Sequence, residues 1–308
     1  NNENLAANVA SIAASTGAEV VGIDNSWIDA GMDLGSRSTN RVIAPKIAML
    51  WDEPTSQYAA GNTRFVIEHQ FGYPVTVIRT SDFNRARLDR YQVVIIPSSF
   101  GSYANFLGEH GANELESWVR RGGVLIGTGT GVRYLADDKV NLLSIRREYQ
   151  VKDEAVVDPA EGSRVEGQII SSLEQMKLLS EPKKETPDSI PGVFVKASVD
   201  SDHWLASGVN STLNVLVRGT DIYTPTQLDS GSNVSWFNGA DDLLASGYIW
   251  EENKQQLAFK PFVVVEEKGN GMVIGFTQDP TVRAYLDGLN LIFMNAIFHG
   301  AAQARPLR

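Results

Sequence analysis

A turn of alternating glycines and threonines follows an apolar run at residues 123–131, which read GVLIGTGTG. An apolar strand that enters such a turn predicts a sharp strand-to-helix elbow, the place where many α/β enzymes hold a nucleophile. The chain has no cysteine, so the elbow offers only small residues: Gly127, Thr128, Gly129, Thr130 and Gly131. A threonine hydroxyl attacks only when an adjacent base takes its proton, and no histidine is evident for that role. The sequence therefore predicts an elbow without an evident nucleophile.

The middle of this elbow constrains the backbone. We expect Gly129 to adopt a positive φ, which glycine reaches without the steric cost that other residues incur. We expect the hydroxyls of Thr128 and Thr130 to cap the helix that follows. In this interpretation the elbow residues serve backbone geometry alone.

Polar side chains follow several of the predicted central strands. Asp52 and Glu53 come after the first of these strands, and Gln278 and Asp279 come after the last. In a doubly wound sheet, ligands bind in a crevice outside the carboxyl ends of the strands. The candidate crevice therefore contains six residues: Asp52, Glu53, Gly101, His110, Gln278 and Asp279. For Asp279 the sequence favours a simpler role, in which it caps the turn or helix after it.

The histidines are too scattered to predict a metal site. They lie at positions 69, 110, 203 and 299, and none begins an H-x-x-E or H-E-x-x-H pattern. A zinc site needs several ligands at workable spacing, so we expect no metal in this chain. His110 precedes a predicted helix and is the histidine expected nearest the strand ends, although simple surface exposure is the favoured alternative.

The elements that would position these residues alternate between strand and helix. Short apolar runs of the kind buried on both faces of a parallel sheet occur at 46–51, 74–80, 91–99 and 124–129. Helical patterns follow the first run, over 63–72, and precede the fourth, over 113–123. This alternation predicts an α/β fold with a doubly wound, mostly parallel sheet.

The second half of the chain is richer in strands. Strand patterns lie at 192–199, 213–219, 243–250 and 261–278, and the last contains a predicted hairpin turn at 267–271. A final helix is predicted over 289–300. We expect the strands of 261–277 to join the central sheet.

Two segments differ from the rest in character. Residues 1–44 predict a connector, with an amphipathic helix, a short strand and a Gly/Ser linker, before a main domain at 45–308. The polar, proline-punctuated stretch over about 150–190 predicts an exposed loop region.

Composition excludes several classes of function. The net charge of −10 argues against a nucleic-acid partner, since the basic pairs at 120–121, 146–147 and 183–184 are isolated and typical of solvated surface charge. No apolar run approaches the roughly 18 residues of a membrane helix. Without cysteine there are no disulfides or thiolate ligands. The start has neither a basic region nor an initiator methionine, which is expected of a processed chain or a fragment.

Four sequence segments, taken in order along the chain, resemble those of one known kind of domain. The segments are PKIAMLWDEPTSQYAAGNTRFVIEHQFGYPVTVIRTSDF, LESWVRRGGVLIGTGTG, HWLASGV and GFTQDPTVRAYLDGLNLIFMNAIFHG. Together they resemble the flavodoxin-like, class I glutamine amidotransferase-like domain at the C-terminal end of certain bacterial zinc carboxypeptidase-family proteins. NLAANVASIAASTGAEVV with GMDLGS resembles the connector before that domain, so the likeness covers essentially the whole chain.

The resemblance also locates what this chain lacks. Active class I amidotransferases carry the nucleophile as the middle residue of G-x-C-x-G, where this chain has Gly129. Their catalytic His-Pro-Glu follows the last strand, where this chain has Gln278, Asp279 and Pro280. The resemblance thus implies a degenerate nucleophile elbow with no catalytic residue for glutamine hydrolysis.

What the resemblance implies about function is an accessory role. The parent protein would be a periplasmic or secreted zinc metallocarboxypeptidase, a hydrolase, whose zinc site lies in an N-terminal domain absent from this chain. This chain would bind no cofactor itself, and its partners would be that peptidase domain or a second copy of itself. Two alternatives stay open: a small-ligand-binding module that uses the strand-end crevice, and a hydrolase that uses a threonine or a carboxylate.

Overall fold

The computed structural model describes residues 4–27, 33, 35–36, 39–151, 172–173, 176 and 185–305. Most of the predicted loop over 150–190 and part of the linker before Pro45 lie outside the described residues. The chain divides into two units, residues 1–41 and 42–308. None of the described helices is long and apolar enough to cross a membrane.

The described residues of the first unit contain one helix. Helix α1 (Leu5–Thr16) ends at Gly17, whose φ of +71° gives a left-handed C-cap. The short strand predicted after it is wrong, because residues 18–23 form no strand within the described part of the chain. A strand pattern alone is insufficient, since a strand is stabilised by its partner across the ladder.

The second unit is built on a ten-stranded sheet in the order β2-β1-β3-β4-β10-β9-β7-β5-β6, with β8 paired to β5. Its strands are β1 (Ile47–Trp51), β2 (Val75–Arg79), β3 (Val93–Ile96), β4 (Val124–Thr128), β5 (Ile190–Val199), β6 (Thr212–Gly219), β7 (Gly231–Phe237), β8 (Leu244–Ser246), β9 (Pro261–Lys268) and β10 (Gly271–Phe276). Strands β2, β1, β3, β4 and β10 are mutually parallel. The predicted mostly parallel sheet is confirmed.

The other strands extend this sheet in an antiparallel manner. β10 pairs with β9 through the predicted hairpin turn, and β7 and β5 follow. The strand predicted at 243–250 is wrong in extent, because only the three residues of β8 pair with β5. β7 carries no strong alternation and was not predicted, since pairing on both sides stabilises it more than its own pattern does.

Helices cover both faces of the sheet. They are α2 (Gln57–Phe65), α3 (Ala104–Arg120), α4 (Gly131–Leu135), α5 (Ala240–Leu243), α6 (Glu251–Leu257) and α7 (Asp287–Gln303). Alternate residues of β1 enter different cores: Met49 joins the core with Phe293 of α7, and Leu50 joins the core with Leu115 of α3. The result is a three-layer α/β/α arrangement.

Helix α3 begins earlier than the sequence predicts. It starts at Ala104 and passes through a kink at Gly108, where φ is +60°. Glycine is unfavourable in the interior of a helix, and the helix predicted from the sequence begins only at 113. The correction places His110 inside a helix.

Candidate functional site

The elbow lies at the carboxyl end of β4, at the centre of the parallel strands. Gly129 has φ of +52°, so the predicted positive φ is confirmed. Its N–H donates to the carbonyl of Phe276, the last residue of β10, over 2.8 Å. At Gly131, a Cβ atom would lie 2.7 Å from the carbonyl oxygen of Pro97, which is closer than real Cβ atoms approach. The backbone therefore needs glycine at both positions.

The hydroxyl of Ser98 fills the space in which a side chain at position 129 would begin. A Cβ atom built on Gly129 overlaps Ser98 Oγ. That hydroxyl donates to the carbonyl of Thr128 over 3.2 Å and accepts the N–H of Thr130 over 3.2 Å. The side-chain position at the tip of the elbow is thus occupied by a serine from the end of the neighbouring strand.

The two threonines of the elbow do not cap α4, and that prediction was wrong. Thr130 is the N-cap residue by position, but its side chain makes no capping bond. Its hydroxyl instead accepts the N–H of Ser99 over 2.7 Å and donates to the Ser99 carbonyl over 2.9 Å. Thr128 is fully buried, and its hydroxyl has no hydrogen-bond partner among the described residues. The close approach of the β3 loop redirects the Thr130 hydroxyl from the helix to that loop.

The residues after β10 are held by their own turn. Asp279 is 8% exposed, and its Oδ1 accepts both the N–H and the hydroxyl of Thr281 over 2.9 Å. Burial raises the pKa of Asp279 against the lowering effect of these hydrogen bonds. The buried Oδ2 has no partner within the described part of the chain. The Oε1 atom of Gln278 accepts the backbone N–H of Arg218 in β6 over 3.2 Å, so Asp279 stabilises its own turn and Gln278 connects that turn to β6.

Only some of the six residues predicted for the crevice line a common cavity. Asp52, Glu53 and Gly101 line one cavity of about 720 Å³ at the strand ends. The side chain of Asp52 is 59% exposed and lies 3.7 Å from Arg79. The other three predicted residues do not line this cavity: Gln278 and Asp279 are buried after β10, and His110 is exposed on α3. His110 lies within α3 and not on a loop before it, because α3 begins earlier than the sequence predicts.

A second cavity, of about 320 Å³, lies on the other side of the loop that follows β3. Its lining includes Ser99 and Gly101 of that loop, Thr130 of the elbow, and three residues that the sequence did not single out: Arg133, Tyr134 and Arg147. The one signal in the sequence was the position of Arg133, in the first turn after the elbow. Arg147 belongs to a pair interpreted as solvated surface charge, and only the fold brings it to the elbow.

No metal centre can be assigned to the described residues, in which no group of three or more His, Asp or Glu side chains could hold an ion.

Comparison with known proteins bears on the fold. A ThuA-like protein from Parabacteroides merdae is 12% identical, with a TM-score of 0.54 over 86% of this chain and 93% of that one. A glutamine amidotransferase from Thermotoga maritima is 10% identical, with a TM-score of 0.49 over 84% and 99%. No family model matches the chain, and no curated protein sequence does. The likeness to the ThuA-like protein shows that the two chains share an α/β fold with a mostly parallel central sheet.

Proposed function

We propose that this chain is a non-catalytic accessory domain of a zinc carboxypeptidase-family protein, with an amidotransferase-like fold that has lost its amidotransferase chemistry. The observation that carries the proposal is the filled elbow. Gly129 supplies no nucleophile, and Ser98 Oγ occupies the space in which a side chain would start. A side chain at position 129 would therefore have to displace the Ser98 hydroxyl.

The groups around the elbow support this proposal. A hydroxyl nucleophile needs a base within hydrogen-bond reach. The hydroxyls of Ser98 and Thr130 are instead bonded to backbone groups of the elbow and of the β3 loop. After β10, the buried Asp279 is engaged by Thr281. Among the described residues, no hydrogen bond joins the carboxyl group of Asp279 to the hydroxyl of Ser98 or Thr130.

The assignment to a carboxypeptidase depends on the resemblance of the four sequence segments quoted above. On this proposal the zinc site belongs to an N-terminal peptidase domain outside this chain, and the parent is periplasmic or secreted. Two exposed aromatic side chains beside the larger cavity offer a contact surface for that domain or for a second copy of this chain. They are Tyr58 and Phe100, exposed by 67% and 75%, whose rings meet edge to face with centroids 6.3 Å apart.

The first test is enzymatic. We expect the purified chain to release ammonia from glutamine no faster than buffer does, because the elbow has no free nucleophile. Ser98→Ala and Thr130→Ala are the matched variants. Ammonia release that scales with protein concentration and disappears in either folded variant would overturn the non-catalytic assignment.

The second test concerns the parent protein. We expect the full-length protein to contain an upstream H-x-x-E zinc motif and to remove C-terminal residues from peptides. Separately produced peptidase domain and this chain should co-elute in size-exclusion chromatography, and Phe100→Ser should weaken that association. A full-length protein without the motif would contradict the carboxypeptidase assignment and leave the non-catalytic assignment standing.

A further inference from the structure

We propose that the cavity of about 320 Å³ beside the elbow binds a small ligand through a carboxylate or phosphate group, which Arg133 and Arg147 hold. The inference goes beyond the proposed function, which requires no ligand. The site uses neither the degenerate nucleophile position nor the residues after β10.

The two arginines are placed by one buried carboxylate. Arg133 lies in α4, and Arg147 forms an isolated β-bridge with Tyr223. The Oδ2 atom of Asp221 accepts Arg133 Nε over 2.6 Å, and its Oδ1 atom lies 3.7 Å from Arg147 Nη1. The side chain of Asp221 is only 7% exposed, whereas those of Arg133 and Arg147 are 42% and 54% exposed. A buried anion thus holds two cations whose side chains are partly exposed.

The remaining donors of these arginines suit an oxyanion. The Asp221 contacts engage one nitrogen of each guanidinium, and the described residues provide no other ion pair or hydrogen bond for them. A guanidinium presents several N–H groups in a planar fork that matches carboxylate and phosphate oxygens. Two such forks at the edge of one cavity can bind a single oxyanion from two sides.

A buried hydroxyl provides a second, independent observation. Tyr134 lines the same cavity, is 4% exposed, and its hydroxyl has no hydrogen-bond partner within the described part of the chain. The hydroxyl oxygen is closed off from solvent, so a ligand reaches it only after a shift of the side chains around it. A buried donor left unpaired costs free energy, and a ligand oxygen bonded to it would remove that cost. Burial raises the pKa of the Tyr134 hydroxyl, so the group stays protonated at neutral pH and can donate.

The lining of the cavity contains two arginines and one carboxylate, Asp137, so the lining itself carries an excess positive charge that favours an anion. Two arginines face one buried carboxylate, that of Asp221. Asp137 lines the cavity, but its Oδ1 accepts the N–H of Lys139, and its side chain is exposed to screening by water. The volume of about 320 Å³ lies at the lower end of the range for small-molecule sites, roughly 300–1,000 Å³.

Calorimetric titration tests the proposal with citrate, succinate and inorganic phosphate, each against sodium chloride at equal ionic strength. We expect at least one of the three to bind with a stoichiometry of one and to raise the melting temperature. Carboxylate binding without phosphate binding, or the reverse, identifies which group the site takes. If none of the three binds more tightly than chloride, the proposal is wrong.

Three variants connect the binding to this cavity. Arg147→Gln should weaken binding about tenfold, since a charge-assisted bond is lost. Tyr134→Phe should weaken it several-fold without lowering the stability of the free protein, because the hydroxyl it removes has no partner there. Arg87→Gln, at an exposed arginine that is paired with Asp89 and does not line the cavity, is the control and should bind as the parent does. Unchanged affinity in folded Arg147→Gln and Tyr134→Phe would overturn the assignment, and Tyr134→Phe decides alone if Arg147→Gln fails to fold.

Discussion

Two separate constraints, one on the backbone and one on packing, favour glycine at position 129. Its φ of +52° disfavours any other residue, and Ser98 Oγ fills the space that a side chain would need. The two constraints are separable, because Ser98 can be shortened without changing the backbone of position 129. Variants at both positions can therefore separate the cost of the strained φ from the cost of the overlap with Ser98.

Gly129→Ala should lower the free energy of unfolding by about 2 kcal/mol or more, from the strained φ and the overlap with Ser98. In a Ser98→Ala background the same substitution should cost about 1 kcal/mol less, because the overlapping atom is gone. Denaturant unfolding of the four proteins measures this coupling. Gly61→Ala is the control, since a Cβ at Gly61 meets open space. Additive losses would mean that Ser98 does not close the elbow.

Asp279 should make stability depend on pH. Its folded pKa is raised by burial, so the folded state binds the proton more tightly than the unfolded state, whose pKa is about 3.9. Stability from this group is fully present below about pH 3.9 and is lost as pH rises through the folded pKa. Asp279→Asn removes this loss and keeps an oxygen for the Thr281 bonds. We expect the variant to gain stability relative to the parent as pH increases from 3 to 7.

Thermal unfolding across that pH range, with the exposed Asp229→Asn as the control for net charge, measures the effect. A difference between parent and Asp279→Asn that stays constant with pH, or that reverses in sign, would contradict the expected direction of the pKa shift.

At the scale of elements, the loop after β3 is tied to two neighbouring strand ends. Thr130 bonds both backbone groups of Ser99. On the other side, Thr55 forms a bridge with Ser99, and its hydroxyl lies 2.8 Å from that of Tyr103 at the start of α3. This loop separates the two strand-end cavities, so its anchoring determines the shape of both.

Thr130→Ala should lower the free energy of unfolding by about 1–2 kcal/mol, because the partly buried N–H of Ser99 loses its acceptor. Thr130→Ser keeps the hydroxyl and should lose less than half as much. Equal losses in the two variants, measured by denaturant unfolding, would show that the methyl group rather than the hydroxyl stabilises the loop.

At the scale of the whole molecule, one sheet joins two kinds of pairing. The parallel strands β2, β1, β3, β4 and β10 carry the strand-end sites, and β9, β7, β5 and β6 continue the sheet in antiparallel order. The junction is the β9–β10 hairpin, whose strands are almost fully buried. Strand β10 lies between β4 and β9, and its last residue, Phe276, accepts the N–H of Gly129, so the strand of the hairpin that belongs to the parallel half also contacts the elbow.

The sequence by itself determined the parallel half of the sheet, the β9–β10 hairpin and the identity of the elbow. Buried parallel strands are short runs of apolar residues, and a strand-to-helix turn needs glycine. Both features can therefore be predicted from the residues of a short segment. The tertiary structure alone decided that Ser98 fills the elbow, that Thr130 bonds Ser99, and that Arg133 and Arg147 meet at Asp221. Arg133 and Asp221 are 88 residues apart, and local periodicity contains no information about such a contact. It depends on the order of strands in the sheet, which is set by the packing of the whole domain.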